Sequence, residues 1–273
     1  MVPVPTTSVN QVPESNTIVE RLQADWPASD LVHGFFGRTG GVSRGPFAAL
    51  NMSHWVGDES ALVDTNWRIA RESMPVGAAI ASLNQVHGAA VLAVDADYSG
   101  ERLEADGLAT AAPGIVLTVL TADCVPILMA DPERGVAAAL HAGWRGTLAG
   151  IAEEGVRAMV ALGAAPRSIR AALGPSIGLC CFEVDEALAS RFAERIPSAA
   201  RHSRTGRIGK AFLDLRGIVR DQLERCGIEP GSISGVGPCT RCARERYFSR
   251  RAAGGAVTGL QVSYIGFAGR GTP

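Results

Sequence analysis

The sequence predicts a single globular domain that combines buried β-strands with amphipathic helices. Three short apolar runs, at residues 115–121, 125–129 and 136–140, contain β-branched residues and show no polar alternation. Such runs are typical of strands buried on both faces. Residues 147–162 carry apolar side chains at three- and four-residue steps, which is typical of a helix with one buried face. We therefore expect strands and helices to share one core.

The composition agrees with a compact protein that acts on small molecules. Of the 273 residues, 47% are hydrophobic and only 19% are charged, whereas disordered chains are poorer in apolar residues. The formal net charge is −1, so no strong positive field attracts nucleic acid or acidic membranes. We therefore expect a small-molecule ligand, with neither nucleic acid nor a membrane as partner.

The N-terminal sequence gives no sign of export. It lacks the basic start and the continuous apolar core of a signal peptide, and no run reaches the roughly 18 apolar residues of a membrane span. We therefore expect a cytoplasmic protein, in which a reducing compartment keeps the cysteines as thiols. The cysteines are then metal ligands, core residues or reactive groups: Cys124, Cys180, Cys181, Cys226, Cys239 and Cys242.

The elements before the central runs include a glycine-rich loop. Residues 31–36 are predicted to form a strand that leads into residues 37–43, where glycines permit tight turns and close approach of a ligand. Arg38 is the anion-binding candidate of this loop. The loop is not a nucleotide-binding P-loop, because the closing Gly-Lys-Ser/Thr is absent. Residues 59–72 are predicted to follow as a helix, and residues 89–94 as a strand.

The elements after the central runs are predicted from apolar periodicity and from glycine and proline. They are, in order, a strand at 169–173, a helix at 185–195, a surface loop at 201–210, a helix at 213–226 and strands at 233–236 and 259–267. Five arginines lie between residues 241 and 251, and such clusters are usually solvated faces. We see neither an internal repeat nor a linker that divides the chain.

Chemically versatile residues stand where the predicted strands end. Asp123 and Cys124 separate the first two central runs, and His141 follows the third. His87 lies just before the predicted strand of residues 89–94. Because side chains at the ends of buried strands are held rigidly, we treat His87, Cys124 and His141 as one site.

These three side chains suit a metal with an open coordination position. Zinc accepts two imidazoles and one thiolate well, and three protein ligands leave the fourth tetrahedral position for water or substrate. Their spacing matches no zinc-finger motif. Two other interpretations stay open, namely a Cys124 nucleophile activated by His87 or His141, and a buried cysteine beside two hydrogen-bonded histidines. Asp106, before the central runs, either orients a ligand or caps a turn.

Two other kinds of metal site are considered for this sequence, that of a multicopper oxidase and that of a zinc deaminase. A multicopper oxidase needs many more imidazoles than the five histidines present, and no His-x-His pair occurs. The zinc-deaminase pattern is matched by Cys181-Phe182-Glu183 and by Pro238-Cys239-Thr240-Arg241-Cys242. Two predicted helices separate these halves, whereas deaminases place them on neighbouring helix starts. The alternative is a Cys181 packed in the core, with Cys239 and Cys242 structural or inert.

Eight motifs follow one another along the chain: HGFFGRTGGVSRGPFAALN, LNQVHG, ADGLAT, LTADCVPILMAD, HAGWRGTLAGI, GPSIGLCCFEV, CTRC and YFSRR. Together they resemble the laccase-domain family, also called the multicopper polyphenol oxidoreductase family. The resemblance covers about residues 30–267. Its combination of NQVHG, TADC and HAGWRG is highly specific.

The resemblance implies both a fold and a metal site. The family fold is α+β, with packed mixed β-sheets flanked by helices in a single domain. Here that catalytic domain is expected to correspond to residues 17–273. Residues 1–16 are rich in Pro, Ser and Thr without periodicity, so we expect them to form a disordered tail. The zinc ligands of the family correspond to His87, Cys124 and His141, so zinc is the implied cofactor. The resemblance does not imply an oligomeric state.

The resemblance also implies an enzyme whose partners are purine nucleosides and phosphate. The implied reactions are phosphorolysis of adenosine, inosine, guanosine and methylthioadenosine, together with hydrolytic deamination of adenosine. A bacterial branch is linked to an amidase that removes misincorporated serine from a peptidoglycan precursor, which is the first alternative. A non-catalytic, zinc-stabilised binding protein is the second.

Four further residues are expected to act in catalysis. Arg38 and Arg145 are candidates for clamping phosphate or stabilising the leaving purine, although pairing with a carboxylate is an equally ordinary role for either. Asp123 is expected to shuttle a proton, and Gln85 to orient the nucleoside. The sequence departs from the family pattern at Leu260, where relatives usually have an arginine. This difference bears on the substrate preference and not on metal binding.

Overall fold

The computed structural model describes residues 19–26, 30–72, 74 and 78–269. The predicted tail of residues 1–16 lies outside this described part of the chain. Among the described residues, no helix is both long enough and apolar enough to cross a membrane.

Short strands outnumber helices in the described part of the chain. The strands there are β1 (Arg21–Leu22), β2 (Leu31–Phe36), β3 (Ala79–Ala81), β4 (Leu83–Asn84), β5 (Val91–Ala93), β6 (Leu103–Glu104), β7 (Gly107–Thr110), β8 (Ile115–Thr121), β9 (Val125–Asp131), β10 (Val136–Ala142), β11 (Arg170–Leu173), β12 (Glu183–Asp185), β13 (Ser203–Thr205), β14 (Lys210–Leu213), β15 (Ile233–Gly235) and β16 (Gln261–Phe267). The α-helices there are α1 (Ser60–Arg71), α2 (Trp144–Ala149), α3 (Ile151–Ala161), α4 (Glu186–Arg195) and α5 (Leu215–Arg225).

Two large mixed sheets form the body of the domain. One has five strands in the order β1-β2-β16-β8-β3, and the other has six in the order β15-β11-β9-β10-β7-β5. Three pairs in these sheets are parallel, β3 with β8, β5 with β7 and β11 with β15, and the other pairs are antiparallel. The expected single domain of mixed sheets and helices is therefore confirmed.

The hydrophobic core lies between four layers. Residues of both large sheets, including Phe35, Leu117 and Leu128, share one buried cluster, so the two sheets pack face to face. Helices α3 and α5 cover the outer face of the six-stranded sheet through a second cluster that includes Leu140. Helix α1 covers the five-stranded sheet through a third cluster that includes Ala70. Burial of apolar surface between these layers is the main stabilising contribution.

The central strands position the predicted site. Strand β8 belongs to the five-stranded sheet and β9 to the six-stranded sheet, so the chain crosses between the sheets at residues 122–124. Strands β9 and β10 form an antiparallel pair that sets His141 opposite Pro126. The three predicted central strands are confirmed, and β10 extends to Ala142. His141 therefore lies inside a strand rather than after it.

Two predictions of local structure are wrong. The helix expected over residues 147–162 is two helices, α2 and α3, because Gly150 between them has a left-handed φ of 91°. Residues 201–210, expected to be a surface loop, contain β13 and begin β14, which pair in antiparallel register. Every residue of β13 is exposed, so the strand carries no apolar alternation that would reveal it.

Helix α2 is held against the loop that carries His87. Gly146 in α2 lies so near Gly88 that a Cβ atom on Gly146 would be 2.6 Å from the Gly88 carbonyl oxygen. Real Cβ atoms essentially never approach an oxygen so closely, so this contact requires glycine. The contact links the element that follows His141 to the loop that presents His87.

We expect the Gly146→Ala variant to be less stable than the wild type. In an ordinary helix interior the same change stabilises by about 0.5–1 kcal/mol, because glycine loses more backbone entropy on folding. Here the new methyl group overlaps a backbone oxygen, and overpacking of this kind costs about 1–3 kcal/mol. The free energy of unfolding in urea measures the effect.

Ala149→Gly is the matched control, because Ala149 is exposed on the same helix. It should lose only the helix-propensity difference, about 1 kcal/mol. A Gly146→Ala variant as stable as the wild type would contradict the contact.

Candidate metal centre

His87, Cys124 and His141, here called the trio, converge although they come from three separate elements. His87 lies in the loop between β4 and β5, Cys124 in the crossing between β8 and β9, and His141 in β10. Their ligand atoms lie within 4.8 Å of one another. The two imidazole rings meet edge to face, with centroids 4.8 Å apart and an interplanar angle of 90°. The structure thus brings the three predicted ligands together.

The carboxylate of Asp106 holds two members of the trio. Its Oδ1 atom accepts from the backbone N–H of His87 at 2.9 Å and lies 2.8 Å from Nδ1 of His141. Its Oδ2 atom accepts from the N–H of Gly88 at 2.5 Å and from that of Val86 at 3.3 Å. Asp106 is fully buried. It therefore caps the turn at residues 86–88, as one of the two predicted roles requires, and it also contacts His141. The predicted role in orienting a nucleoside stays a prediction.

Asp106 also decides which nitrogen of His141 is available. Because the carboxylate accepts from Nδ1, that nitrogen carries the proton and Nε2 is left as the ligand atom. Burial raises the pKa of Asp106, but the hydrogen bonds from His141, Gly88 and His87 outweigh it and lower the pKa below its usual value. The carboxylate is therefore ionised at neutral pH.

Cys124 and His141 stabilise each other's charged forms. Burial raises the pKa of Cys124, but the charges and hydrogen bonds of His141 and His87 outweigh it and lower the pKa to about 6. Burial lowers the pKa of His141, but Cys124 and Asp106 outweigh it and raise the pKa to about 9. A thiolate, the form that binds metal, is thus available at neutral pH.

The backbone around the trio is shaped to leave room between the ligands. His87 and Asp123 both have left-handed φ values, 61° and 89°, which are uncommon outside glycine and recur at functional sites. Gly143 has an extended φ and ψ, so its lack of a side chain is a matter of space. A Cβ atom there would be 3.1 Å from Cys124 Sγ and 3.2 Å from His87 Cδ2. The donor set and this space together fit a zinc ion.

A cavity of about 730 Å³ opens onto the trio, within the usual size range of small-molecule sites. Its walls combine apolar side chains with a few polar groups. The lining residues are Ser53, Trp55, Val56, Leu83, Asn84, Gln85, His87, Leu120, Thr121, Ala122, Asp123, Cys124, His141, Ile177, Phe182, Arg250, Arg251, Gly254, Gly255 and Leu260.

Two predicted catalytic residues line this cavity with their side chains already engaged. Asp123 accepts from the hydroxyl of Thr240 at 2.6 Å and from the backbone N–H of Arg251 at 2.7 Å. Gln85 donates to the carbonyl of Leu120 at 2.8 Å and accepts from its N–H at 2.7 Å. The amide of Gln85 therefore fixes the end of β8, which positions the crossing that holds Cys124.

Neither arginine of the predicted phosphate clamp lines this cavity. The guanidinium of Arg38 donates to the carbonyls of Ala48 and Arg244, and its side chain lines a separate cavity of about 340 Å³. The guanidinium carbon of Arg145 lies 4.5 Å from the centroid of the Trp144 ring, and the side chain lines a third cavity. Local sequence could not show this, because the partners of Arg38 lie up to 206 positions away.

Two other arginines line the cavity instead, Arg250 and Arg251, although clusters such as theirs are usually solvated faces. Arg251 donates to the carbonyls of Cys181 and Glu183, which ties it to the wall. Arg250 is exposed, and among the described residues its guanidinium has no hydrogen bond or ion pair. The motif YFSRR, which contains both, was the available signal.

The other three histidines lie in contacts of their own. His33 Nε2 contacts the backbone of Ala24, His54 pairs with Asp64 at 2.8 Å, and His202 pairs with Asp221 at 2.8 Å. Among the described residues no second group of imidazoles gathers near the trio. The ligands of a multinuclear copper centre are therefore not present in this part of the chain.

Comparison with known proteins finds relatives along almost the whole described chain. Residues 32–268 match the protein family described as multi-copper polyphenol oxidoreductase laccase. A purine nucleoside phosphorylase of Streptomyces coelicolor is 42% identical over 234 residues, which cover 85% of this chain and 93% of the relative. A purine nucleoside phosphorylase of Deinococcus radiodurans is 40% identical over 242 residues, which cover 88% of this chain and 90% of the relative.

Solved structures share the fold. The crystal structure of a Neisseria meningitidis protein has a TM-score of 0.83 at 34% identity and covers 91% of this chain and 99% of its own. The crystal structure of YlmD from Geobacillus stearothermophilus has a TM-score of 0.84 at 33% identity, and the match covers 94% of this chain and 98% of YlmD. The likeness therefore extends over both sheets and the helices that flank them.

We expect the Asp106→Asn variant to bind zinc about 10–100-fold more weakly, because partners that orient a metal-ligating histidine have effects of this size. The neutral amide no longer accepts from all four donors, so both His141 and the His87 loop lose their orientation. Competition with a chromophoric chelator measures the affinity.

Asp131→Asn is the matched control, because Asp131 is also fully buried and accepts backbone N–H groups, those of Glu133, Arg134 and Ala165. It should lower stability without changing zinc affinity. Equal zinc affinity in the Asp106 variant and the wild type would contradict the role of Asp106.

Proposed function

This chain belongs to the multi-copper polyphenol oxidoreductase laccase family, and on that premise we propose that it is a zinc-dependent purine nucleoside phosphorylase. The relatives that bear the name purine nucleoside phosphorylase support this reaction. The observation that carries the proposal is the meeting of three metal ligands at the wall of a cavity large enough for a nucleoside and phosphate.

The metal in this proposal is zinc, held by His87, Cys124 and His141. The sulfur and nitrogen donors and the space beside Gly143 support that choice. When bound, zinc would supply Lewis acidity that polarises an oxygen atom of the substrate. The residues around it have the tasks of binding and orienting the nucleoside and phosphate.

Phosphorolysis joins C1′ of the ribose to a phosphate oxygen while the bond from C1′ to the purine breaks. The electron pair of the broken bond leaves with the purine, so negative charge must be stabilised at both ends of the reaction. Arg250 is the proposed anchor for phosphate, because it lines the cavity and its guanidinium is not engaged by any described residue. A charge-assisted bond from arginine to phosphate is strong and directional.

Three other residues of the cavity have proposed roles, two in holding the nucleoside and one in proton transfer. Trp55 is 73% exposed and offers a ring on which a purine can stack. Thr121 Oγ1 is buried without a hydrogen-bond partner in the described part of the chain, so it is available to a ribose hydroxyl. Asp123 keeps a free lone pair on each oxygen and is positioned by Thr240 and Arg251. It is the proposed shuttle that takes a proton from dihydrogen phosphate and passes it to the leaving purine.

We expect purified, zinc-loaded protein to convert adenosine and phosphate to adenine and ribose 1-phosphate. Chromatography of incubations with and without phosphate tests this, with inosine, guanosine and methylthioadenosine as further substrates. Inosine formed from adenosine without phosphate would instead report deamination, which a polarised water in the same cavity permits.

Two outcomes would replace the proposal. Release of serine from a serine-containing muramoyl precursor, without activity on nucleosides, would establish the amidase alternative. If no assay detects a product and zinc removal lowers only the thermal stability, the protein is a non-catalytic, zinc-stabilised binding protein.

We expect Arg250→Met to raise the KM for phosphate about 10–100-fold, because a hydrogen bond to a charged group contributes about 1.5–3 kcal/mol. The KM for the nucleoside at saturating phosphate should change little. Arg38→Met and Arg145→Met serve as comparisons, since the sequence had suggested those arginines for the same task. If one of them raises the phosphate KM and Arg250→Met does not, the assignment of Arg250 is wrong.

A further inference from the structure

Four cysteines outside the trio converge at one point on the surface of the domain. Cys180 and Cys181 follow a turn after β11, and Cys239 and Cys242 belong to the segment after β15. We refer to them as the four-cysteine cluster. Their sulfur atoms all lie within 4.8 Å of one another, and Cys242 Sγ is 3.6 Å from that of Cys180 and 3.4 Å from that of Cys181.

Two of the sulfur–sulfur distances are close to those of a tetrahedral site. Zinc binds thiolates at about 2.3 Å, so two sulfurs of a regular tetrahedron around it lie about 3.8 Å apart. The contacts of Cys242 with its two partners are close to this value. Four thiols gathered within reach of one ion form a complete ligand set, without a position left for substrate.

We propose that the four-cysteine cluster binds a second zinc ion in a closed, structural site. The ligands pair a Cys-Cys dipeptide with a Cys-x-x-Cys motif, and tetrahedral four-sulfur sites are typical of zinc. This site is independent of the activity proposed above, because its residues neither belong to the trio nor line the cavity.

The surroundings suit a bound tetrathiolate, which carries net negative charge. The backbone N–H of Gly178 donates to Cys239 Sγ at 3.3 Å. The guanidinium of Arg216 lies beside this segment, where it donates to the carbonyl of Gly237 and the hydroxyl of Ser176. Donors and positive charge around the sulfurs offset the charge of the site.

The site also accounts for the deaminase-like pattern in the sequence. The two halves of that pattern do meet in space, but Cys180 supplies a fourth thiol where a deaminase keeps an open position. The carboxylate of Glu183, which would be the proton carrier, is paired with Arg207 at 3.1 Å. The cluster is therefore built for structure and not for deamination.

The zinc would connect two segments that form one wall of the cavity. Ser176 and Cys239 are joined by an isolated β-bridge, and the N–H of Thr240 donates to the carbonyl of Ser176 at 3.0 Å. The guanidinium of Arg251 adds a further link, because it donates to the carbonyls of Cys181 and Glu183. Phe182 on one segment and Arg251 on the other line the cavity. A metal link restricts their separation, as other cross-links between distant segments do.

The test is the zinc content of protein purified under reducing conditions, counted per chain together with iron. We expect two zinc ions in the wild type, one in Cys124→Ala and one in Cys242→Ser. The Cys242→Ser variant should also lose thermal stability while the trio keeps its ion. Cys226→Ala is the matched control, because Cys226 is a half-buried free cysteine outside both groups, and it should keep two ions.

Cobalt substitution identifies the ligands without relying on a variant of the four-cysteine cluster. Thiolate-to-cobalt charge-transfer absorption grows with the number of sulfur ligands, so Cys124→Ala should retain the intense band of a four-sulfur site. One zinc per wild-type chain, with all four cluster thiols reacting freely in the folded protein, would overturn the proposal. So would iron in the cluster, or a mass showing that its cysteines form disulfides.

Discussion

The buried carboxylate of Asp106 is the interaction on which the candidate site depends. A carboxylate without compensation is very unfavourable in a protein interior, so a chain that buries one must deliver donors to it. Here the donors are the N–H groups of the His87 loop and the imidazole of His141. Satisfying Asp106 therefore requires the loop and strand β10 to meet. The same requirement places two metal ligands side by side before any metal arrives.

The central strands could be predicted because their apolar signal is local, and the trio because its members stand beside predicted strand ends and match the family motifs. Buried runs such as residues 115–121 carry their own apolar signal, and a histidine or cysteine at a strand end is visible in a sequence. The break at Gly150 was not predictable, because the apolar periodicity continues across it. The strand β13 was hidden for the opposite reason, since all its side chains are exposed.

The surroundings of the trio could not be predicted because tertiary contacts decide them. Arg38 has the sequence context of an anion site, yet backbone carbonyls distant in sequence satisfy its guanidinium. Arg250 sits in an arginine-rich segment of ordinary appearance, and only the fold turns it towards the cavity. The four-cysteine cluster joins two sequence motifs, and its members Cys180 and Cys242 lie 62 positions apart. Each case depends on which distant segment folds against it.

The place of β16 has a consequence for biosynthesis. This strand lies between β2 and β8, and it pairs with both along most of its length. While the ribosome is still making the residues before Gln261, those two strands lack their common neighbour and expose unpaired edges, which favour association with other chains. Completion of the five-stranded sheet must therefore wait until β16 has been translated.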